Sequence, residues 1–498
     1  MRLSRRITAR LLATKQYEVK PTGIRFGSSV FWASSASVAA KAIDVLALFL
    51  LTRLLDPASF GLVAMALIVI NALEILLDFG LGQALVQKSS IDNGAAETAL
   101  VIIPATGVAL FLVSFLVSGV TASFFNSPGL AGVIRVLSFV LILESLSAVP
   151  SSLLERKLMY KNMIAAEALG SLCYLIVSAL LAYAGWSVWS LVYGKLARSF
   201  VRCAVLWLSS GGKPAGIFNA GAAKELYRFG RHIVVLGIIA FVIRNFDNAV
   251  IGKYLSAADL GLYTVAYSIG NFLPTFVKMT LGRVAFPYYS RVRENPEELR
   301  DKFLKISRAN VVLCVWLTLM LAVVFPPVAG AILGSRWREV GPLVQTLAFF
   351  GLQRSIASVS APVLNAMGVP QAQREPMLLN ASIFVPLAIP AAKMGGAQAI
   401  ALLVTASIIP GFLWTLRRIF SLLEIQHELA RFMLPCALGV VCFLIQTLFS
   451  EYVALDGFAC GVFAAISATA IFLVLLRLFE PRSFSNLGVF GKMLLETS

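Results

Sequence analysis

The sequence predicts an all-α polytopic membrane protein of about fourteen transmembrane helices, in two six-helix pseudo-repeat lobes with a helix pair appended at the C-terminus. Three observations predict it. Of 498 residues, 59% are hydrophobic and 13% charged, where a soluble domain shows about half and roughly a quarter. Apolar residues on that scale suffice for about fourteen spans of ~20 residues each. The apolar residues are gathered into long runs bounded by charge, Gly or Pro, and the cations between runs collect on alternate sides. An ordinary soluble enzyme is excluded by the first observation alone.

Taken in order, residues 1–27 carry seven basic residues and no apolar core before Val30. They predict a cytoplasmic tail rather than a cleaved signal peptide. The first lobe, 28–210, holds spans near 28–52, 59–84, 97–120, 132–154, 162–184 and 187–210. A linker, 211–228, leads to the second lobe, 229–416. Its spans lie near 229–252, 259–284, 309–333, 341–366, 376–392 and 396–416, the last two interrupted by Pro386, Pro390 and Pro410. The final region, 417–498, holds spans near 432–450 and 457–478 and a C-terminal tail. Pro104, Pro150, Pro274, Pro326, Pro327 and Pro362 mark candidate bends.

With an even number of spans, both termini share one side. Of the 42 Lys and Arg, 31 fall on the N-terminal side and five on the other (Arg53, Lys253, Arg336, Arg338, Lys393), with six inside spans. Because basic loops stay cytoplasmic, both termini are expected in the cytoplasm. The same rule accounts for the net charge of +17 without nucleic acid as a partner. The six cysteines lie in or beside apolar stretches with no CxxC, so free thiols are expected, and neither a disulfide framework nor a metal site. No GxxxxGK[ST] run is present to hold nucleotide phosphates, and no Ser/His/Asp or Cys/His constellation suggests an enzyme. His232 and His427 fall at cytoplasmic helix ends, where interfacial roles explain them.

An internal repeat organises the two lobes. At an offset of 200, Leu55, Ala58, Gly61, Leu62, Ala66, Asn71, Leu73, Leu81 and Gly82 meet identical residues, Leu255 through Gly282. Parallel repeats of this kind occur in secondary transporters, with the substrate path between the halves.

Ionisable groups inside spans are costly and mark cavities or pathways. The cations are Lys41, Arg135, Lys195, Arg244, Lys278 and Arg354, and the acids Asp44, Glu74, Asp78, Glu144, Glu167 and Asp247. Lys195 is set aside as able to snorkel to the headgroups. The first span of each lobe carries an i, i+3 pair, Lys41 with Asp44 and Arg244 with Asp247. Two readings stand for these pairs: self-compensating charges that let a polar helix line a cavity, or one cation per lobe binding an anion while Asp44 and Asp247 hold them in place. Glu74 and Asp78, at i, i+4, form an acid pair suited to carrying a proton or holding Na+. The alternative is simple pairing with a cavity cation. No other cofactor is expected.

The stretch from Arg244 to Tyr267, RNFDNAVIGKYLSAADLGLYTVAY, resembles the seventh-helix signature of Wzx-type polysaccharide flippases. LLDPASFGL from Leu54 and DFGLGQALVQ from Asp78 are similar to the same family, part of the multidrug/oligosaccharidyl-lipid/polysaccharide exporter superfamily. The resemblance implies two six-helix lobes around a central cavity. It also implies movement of undecaprenyl-pyrophosphate-linked sugar units across a bacterial inner membrane, for exopolysaccharide or lipopolysaccharide synthesis. Lys41 and Arg244 fit the cationic cavity of that family, and Arg135, Lys278 and Arg354 extend it by topology. The implied partners are the lipid-linked sugar, membrane lipids, and a polysaccharide polymerase with its export machinery. The basic tail departs from the family pattern and is read as an anchor to anionic headgroups. Three rivals are a multidrug or cation antiporter, a peptidoglycan-precursor flippase and, from another class, a membrane polymerase or glycosyltransferase.

Overall fold

The computed structural model describes residues 26–77, 81–82, 85, 93–211, 220–272, 295–367, 369–452 and 457–480. The basic tail, Asp78, Lys278 and the side chain of His232 lie outside the described residues. Among the described residues the regular structure is helical, with no strand.

The helices follow the order of the expected spans. They are α1 Phe26–Leu54, α2 Pro57–Glu74, α3 Asn93–Phe124, α4 Leu130–Leu137, α5 Phe139–Arg156, α6 Tyr160–Tyr183 and α7 Val188–Ser210, then α8 Ala220–Tyr254 and α9 Ala257–Gly270. The chain goes on through α10 Pro296–Leu319, α11 Phe325–Leu333, α12 Val340–Ala366, α13 Arg374–Leu422, α14 Leu429–Tyr452 and α15 Gly457–Phe479. Nine helical stretches among the described residues are long and apolar enough to cross a membrane by length and composition.

Local chemistry sets the boundaries. Asp56 starts α2 by accepting from the backbone N–H of Ser59, with Pro57 in the first turn, where its missing N–H costs nothing. At the equivalent point of the repeat, Ser256 and Asp259 form a reciprocal capping box at the start of α9. Pro326 and Pro327 sit just inside α11, and a π-turn, Met320–Val324, joins α10 to α11 ahead of them. Prolines cannot donate to the preceding carbonyls, so the helix widens there instead of ending.

The two spans expected at 376–392 and 396–416 emerge as the arms of α13. The backbone leaves helical geometry at Gly395 and Gly396, the latter at φ +62° and ψ −151°, a conformation open to glycine. A Cβ on Gly411 would come 2.8 Å from the carbonyl oxygen of Pro376. A straight helix would hold these residues roughly 50 Å apart at 1.5 Å per residue, so the arms fold back antiparallel.

Short connections make successive helices antiparallel, which gives the bundle two ends. The near end holds the start of α1, and the far end holds the α1–α2, α3–α4, α6–α7, α8–α9 and α11–α12 connections. The principal apolar core runs through α2, α4, α5, α9 and α12 and so joins the two halves. At its far end α2 crosses α9 at matching glycines. A Cβ on Gly61 would fall 1.7 Å from the carbonyl oxygen of Ala257, and one on Gly261 would fall 1.9 Å from that of Pro57. The 200-residue repeat therefore meets itself across the interface: 57 with 261, and 61 with 257. The last pair, α14 and α15, packs on α10 and α11 in a second core.

Candidate functional site

Six charged side chains of the first half form one chain of contacts. Lys41 Nζ lies 3.2 Å from Asp44, whose other oxygen takes Arg198 at 2.8 Å. Arg198 lies 3.5 Å from Glu167, and Arg202 reaches Glu167 at 2.5 Å and Glu144 at 2.5 Å. Ser199 donates to Glu144 at 3.0 Å. Three cations and three carboxylates from α1, α5, α6 and α7 thus neutralise one another. Charges held in low dielectric need such partners, and removing one strands the rest.

Arg198 and Arg202 were invisible as site residues in the sequence because they counted with the cytoplasmic cations. The signal was present: Lys195, Arg198 and Arg202 follow i, i+3, i+7 spacing and share one helix face. Lys195 lies seven residues inside α7, roughly 10 Å from the helix start, and with Arg202 and Glu144 is a charged neighbour of Glu74.

The second half differs in kind. The i, i+3 pair expected of Arg244 and Asp247 does not form. Asp247 is 5% exposed; it accepts from the hydroxyl of Tyr263 at 2.8 Å and from the backbone N–H of Asn248 at 2.8 Å. Arg244 is left exposed, with no ion pair among the described residues. Arg354 donates to Tyr267 at 3.0 Å and Asn271 at 3.1 Å, both neutral, and stands 5.4 Å over the ring of Phe350.

Arg244, Asp247 and Arg354 line one cavity of about 340 Å³ between α8, α9, α12 and both arms of α13, within the usual size of small-ligand clefts. Its walls combine the aromatic rings of Tyr267, Phe350, Phe384 and Phe412 with the polar groups of Gln353, Asn380, Ser407 and Thr415. In chain order α8, α12 and the arms of α13 correspond to α1, α5, α6 and α7. Where the first half has Glu144 and Glu167 on its helices, the second has Arg354 and Asn380 lining the cavity. By helix order, the second half places a cavity with two guanidinium groups where the first half carries its ion pairs. An anion with several oxygens suits such a site, because arginine binds oxyanions in forked pairs.

The other expected cations lie elsewhere. Lys41 belongs to the first-half network, with its side chain 52% exposed. Arg135, in the last turn of α4, donates to Ser118 of α3 at 2.9 Å and stands 5.2 Å over Phe115, outside the cavity lining. Of the cysteines, Cys203, Cys314 and Cys442 are buried and all six are free thiols.

A family model described as polysaccharide biosynthesis protein matches residues 50–342. The chain is 24% identical over 378 residues to lipopolysaccharide biosynthesis protein WzxC of Escherichia coli K12, covering 75% of this chain and 77% of that protein. It is 24% identical over 344 residues to succinoglycan biosynthesis transport protein ExoT of Rhizobium meliloti, covering 68% and 69%. Among solved structures, lipid II flippase MurJ in an inward closed conformation superposes with a TM-score of 0.73 at 12% identity, over 89% of this chain and 98% of that one. That likeness is one of fold.

Proposed function

The chain belongs to the polysaccharide biosynthesis protein family, and from that membership we propose that it flips an undecaprenyl-pyrophosphate-linked sugar repeat unit across the bacterial inner membrane. The product feeds exopolysaccharide or lipopolysaccharide assembly, in keeping with relatives named for lipopolysaccharide and succinoglycan biosynthesis. It is a transporter and not an enzyme, and both termini face the cytoplasm.

The observation that carries the mechanism is the open cavity with Arg244 and Arg354. A pyrophosphate cannot cross about 30 Å of hydrocarbon unaided, and the two guanidinium groups offer it a place inside the bundle. Tyr267 and Asn271 hold Arg354 without neutralising it, which keeps its charge available. Asp247 is engaged by Tyr263 and so does not compete for Arg244. Lys41, half-exposed beside Asp44 in the first half, supplies a further cation along the path rather than in this cavity. Aromatic and amide groups of the cavity wall face the first sugars. The polyprenyl tail stays in lipid, against a groove shaped by α14 and α15. Glu74, with Asp78, exchanges H+ or Na+ to drive the cycle. A downstream polymerase and export machinery receive the sugar.

The test is polymer export in cells that depend on this protein, with membrane abundance measured alongside. Arg244→Gln and Arg354→Gln should each cripple export at normal abundance. The MurJ-like fold favours a second reading, flipping of the peptidoglycan precursor, which also carries a pyrophosphate. Rescue of a strain lacking that flippase, without rescue of polymer export, would establish it. A drug or cation antiporter has no use for two unneutralised arginines.

A further inference from the structure

Five cations depart from the basic-side rule in the sequence, and two of them occupy equivalent places in the repeat, Arg53 and Lys253. Each ends the first helix of its half, at the far end, and each crosses to the other half. Arg53 Nε donates to the carbonyl of Ile332 at 2.8 Å, and its Nη2 to that of Ala331 at 2.5 Å. Lys253 Nζ donates to the carbonyl of Phe124 at 2.5 Å and stands 4.8 Å over that residue's ring. The accepting carbonyls close α11 in one case and α3 in the other, which occupy the same place in the two halves. Final carbonyls of a helix have no partner within it and carry its negative end, so a cation is the fitting cap. The backbone crossing at Gly61 and Gly261 lies at the same end.

We propose that Arg53 and Lys253 are the gating residues of the transport reaction, a twofold latch whose release lets the far side open. Each donor is on one half and its acceptor on the other, so any separation of the halves at this end breaks both caps together. The first cap is reinforced by Trp337, which donates to the carbonyl of Leu55 at 3.2 Å and packs edge-on to Phe60 at 5.1 Å. Both cations are within reach of water, so release is reversible instead of prohibitive. The proposal rests on the alternating-access reading above but needs no substrate to be tested.

Spin labels on Ser123→Cys at the end of α3 and Glu339→Cys before α12, in a cysteine-free background in vesicles, report the gap between halves by double electron–electron resonance. Arg53→Gln and Lys253→Gln should each raise the ratio of long-distance to short-distance populations about two- to tenfold, the span that one modest hydrogen bond commands. The double variant should exceed either single one. The exchange Arg53→Lys with Lys253→Arg should restore the wild-type distribution, which a merely disrupted fold would not do. Identical distributions in wild type and the Arg53→Gln/Lys253→Gln variant would overturn the latch. A latch that behaves as expected in a protein that exports no polymer would instead count against the substrate reading alone.

Discussion

Single residues separate the two halves. In the second half Arg244 and Arg354 meet no carboxylate among the described residues, whereas Arg198 and Arg202 are paired throughout. A charge-assisted contact is worth roughly 1.5–3 kcal/mol, or about one to two decades of affinity. Arg354→Gln should therefore lose about that much affinity for the lipid-linked sugar. Arg354→Lys should lose less, keeping the charge without the fork. Substitutions in the first-half network should be read out as stability. Glu144→Gln takes one of the two carboxylates from Arg202 and leaves Glu167 in place, so the loss should fall below the ~3–5 kcal/mol of a fully broken buried pair. Thermal unfolding in detergent would check this, and unchanged unfolding would show the network to be ornamental. Glu74→Gln should abolish gradient-driven transport while leaving substrate binding intact; full transport in that variant would remove Glu74 from coupling. The sequence exposed the acids and Lys41 but hid Arg198 and Arg202, because a positive-inside count assigns cations by side before asking which helix face they share. It also paired Arg244 with Asp247 on spacing alone. Spacing could not reveal that Tyr263, one helix on, would take the carboxylate.

At the scale of elements, helices were the most legible feature, because a membrane leaves the backbone little alternative. Repeat identities at Gly61 and Gly261 marked two related halves, but an offset alone does not say that the two glycines meet each other across the interface. The interruption at Gly395 and Gly396 was harder to read. Three prolines in 376–416 suggested bends in one or two spans, and the turn itself depended on a positive φ at Gly396. The π-turn before Pro326 left no distinct mark, being a response to prolines that elsewhere simply kink a helix. Gly61→Val or Gly261→Val should force α2 and α9 apart, since even a Cβ would meet a carbonyl oxygen below 2 Å. The expected outcome is reduced abundance or a lower unfolding temperature by an overpacking cost of about 1–3 kcal/mol or more. Valine at Gly119, whose Cβ would meet nothing within 4 Å, is the control and should be tolerated.

For the whole molecule, the repeat yields two halves of one plan with different contents. The first carries compensated charge, and the second has a cavity of about 340 Å³ lined by Arg244 and Arg354. The loop cations predict an orientation that labelling can test: a cysteine at Arg336 should react with an impermeant thiol reagent from outside, and one at Ser421 should not. Inverted labelling would reverse the direction of transport. The measurement that bears most directly on the mechanism is equilibrium binding of the undecaprenyl-pyrophosphate-linked repeat unit to purified protein in vesicles. Wild type should be compared with Arg244→Gln/Arg354→Gln and with Arg198→Gln, each first shown to be folded. The Kd should rise by about one to two decades or more in the cavity variant and stay within about twofold in Arg198→Gln. An unchanged Kd in a well-folded Arg244→Gln/Arg354→Gln protein would contradict the assignment of this cavity to the pyrophosphate.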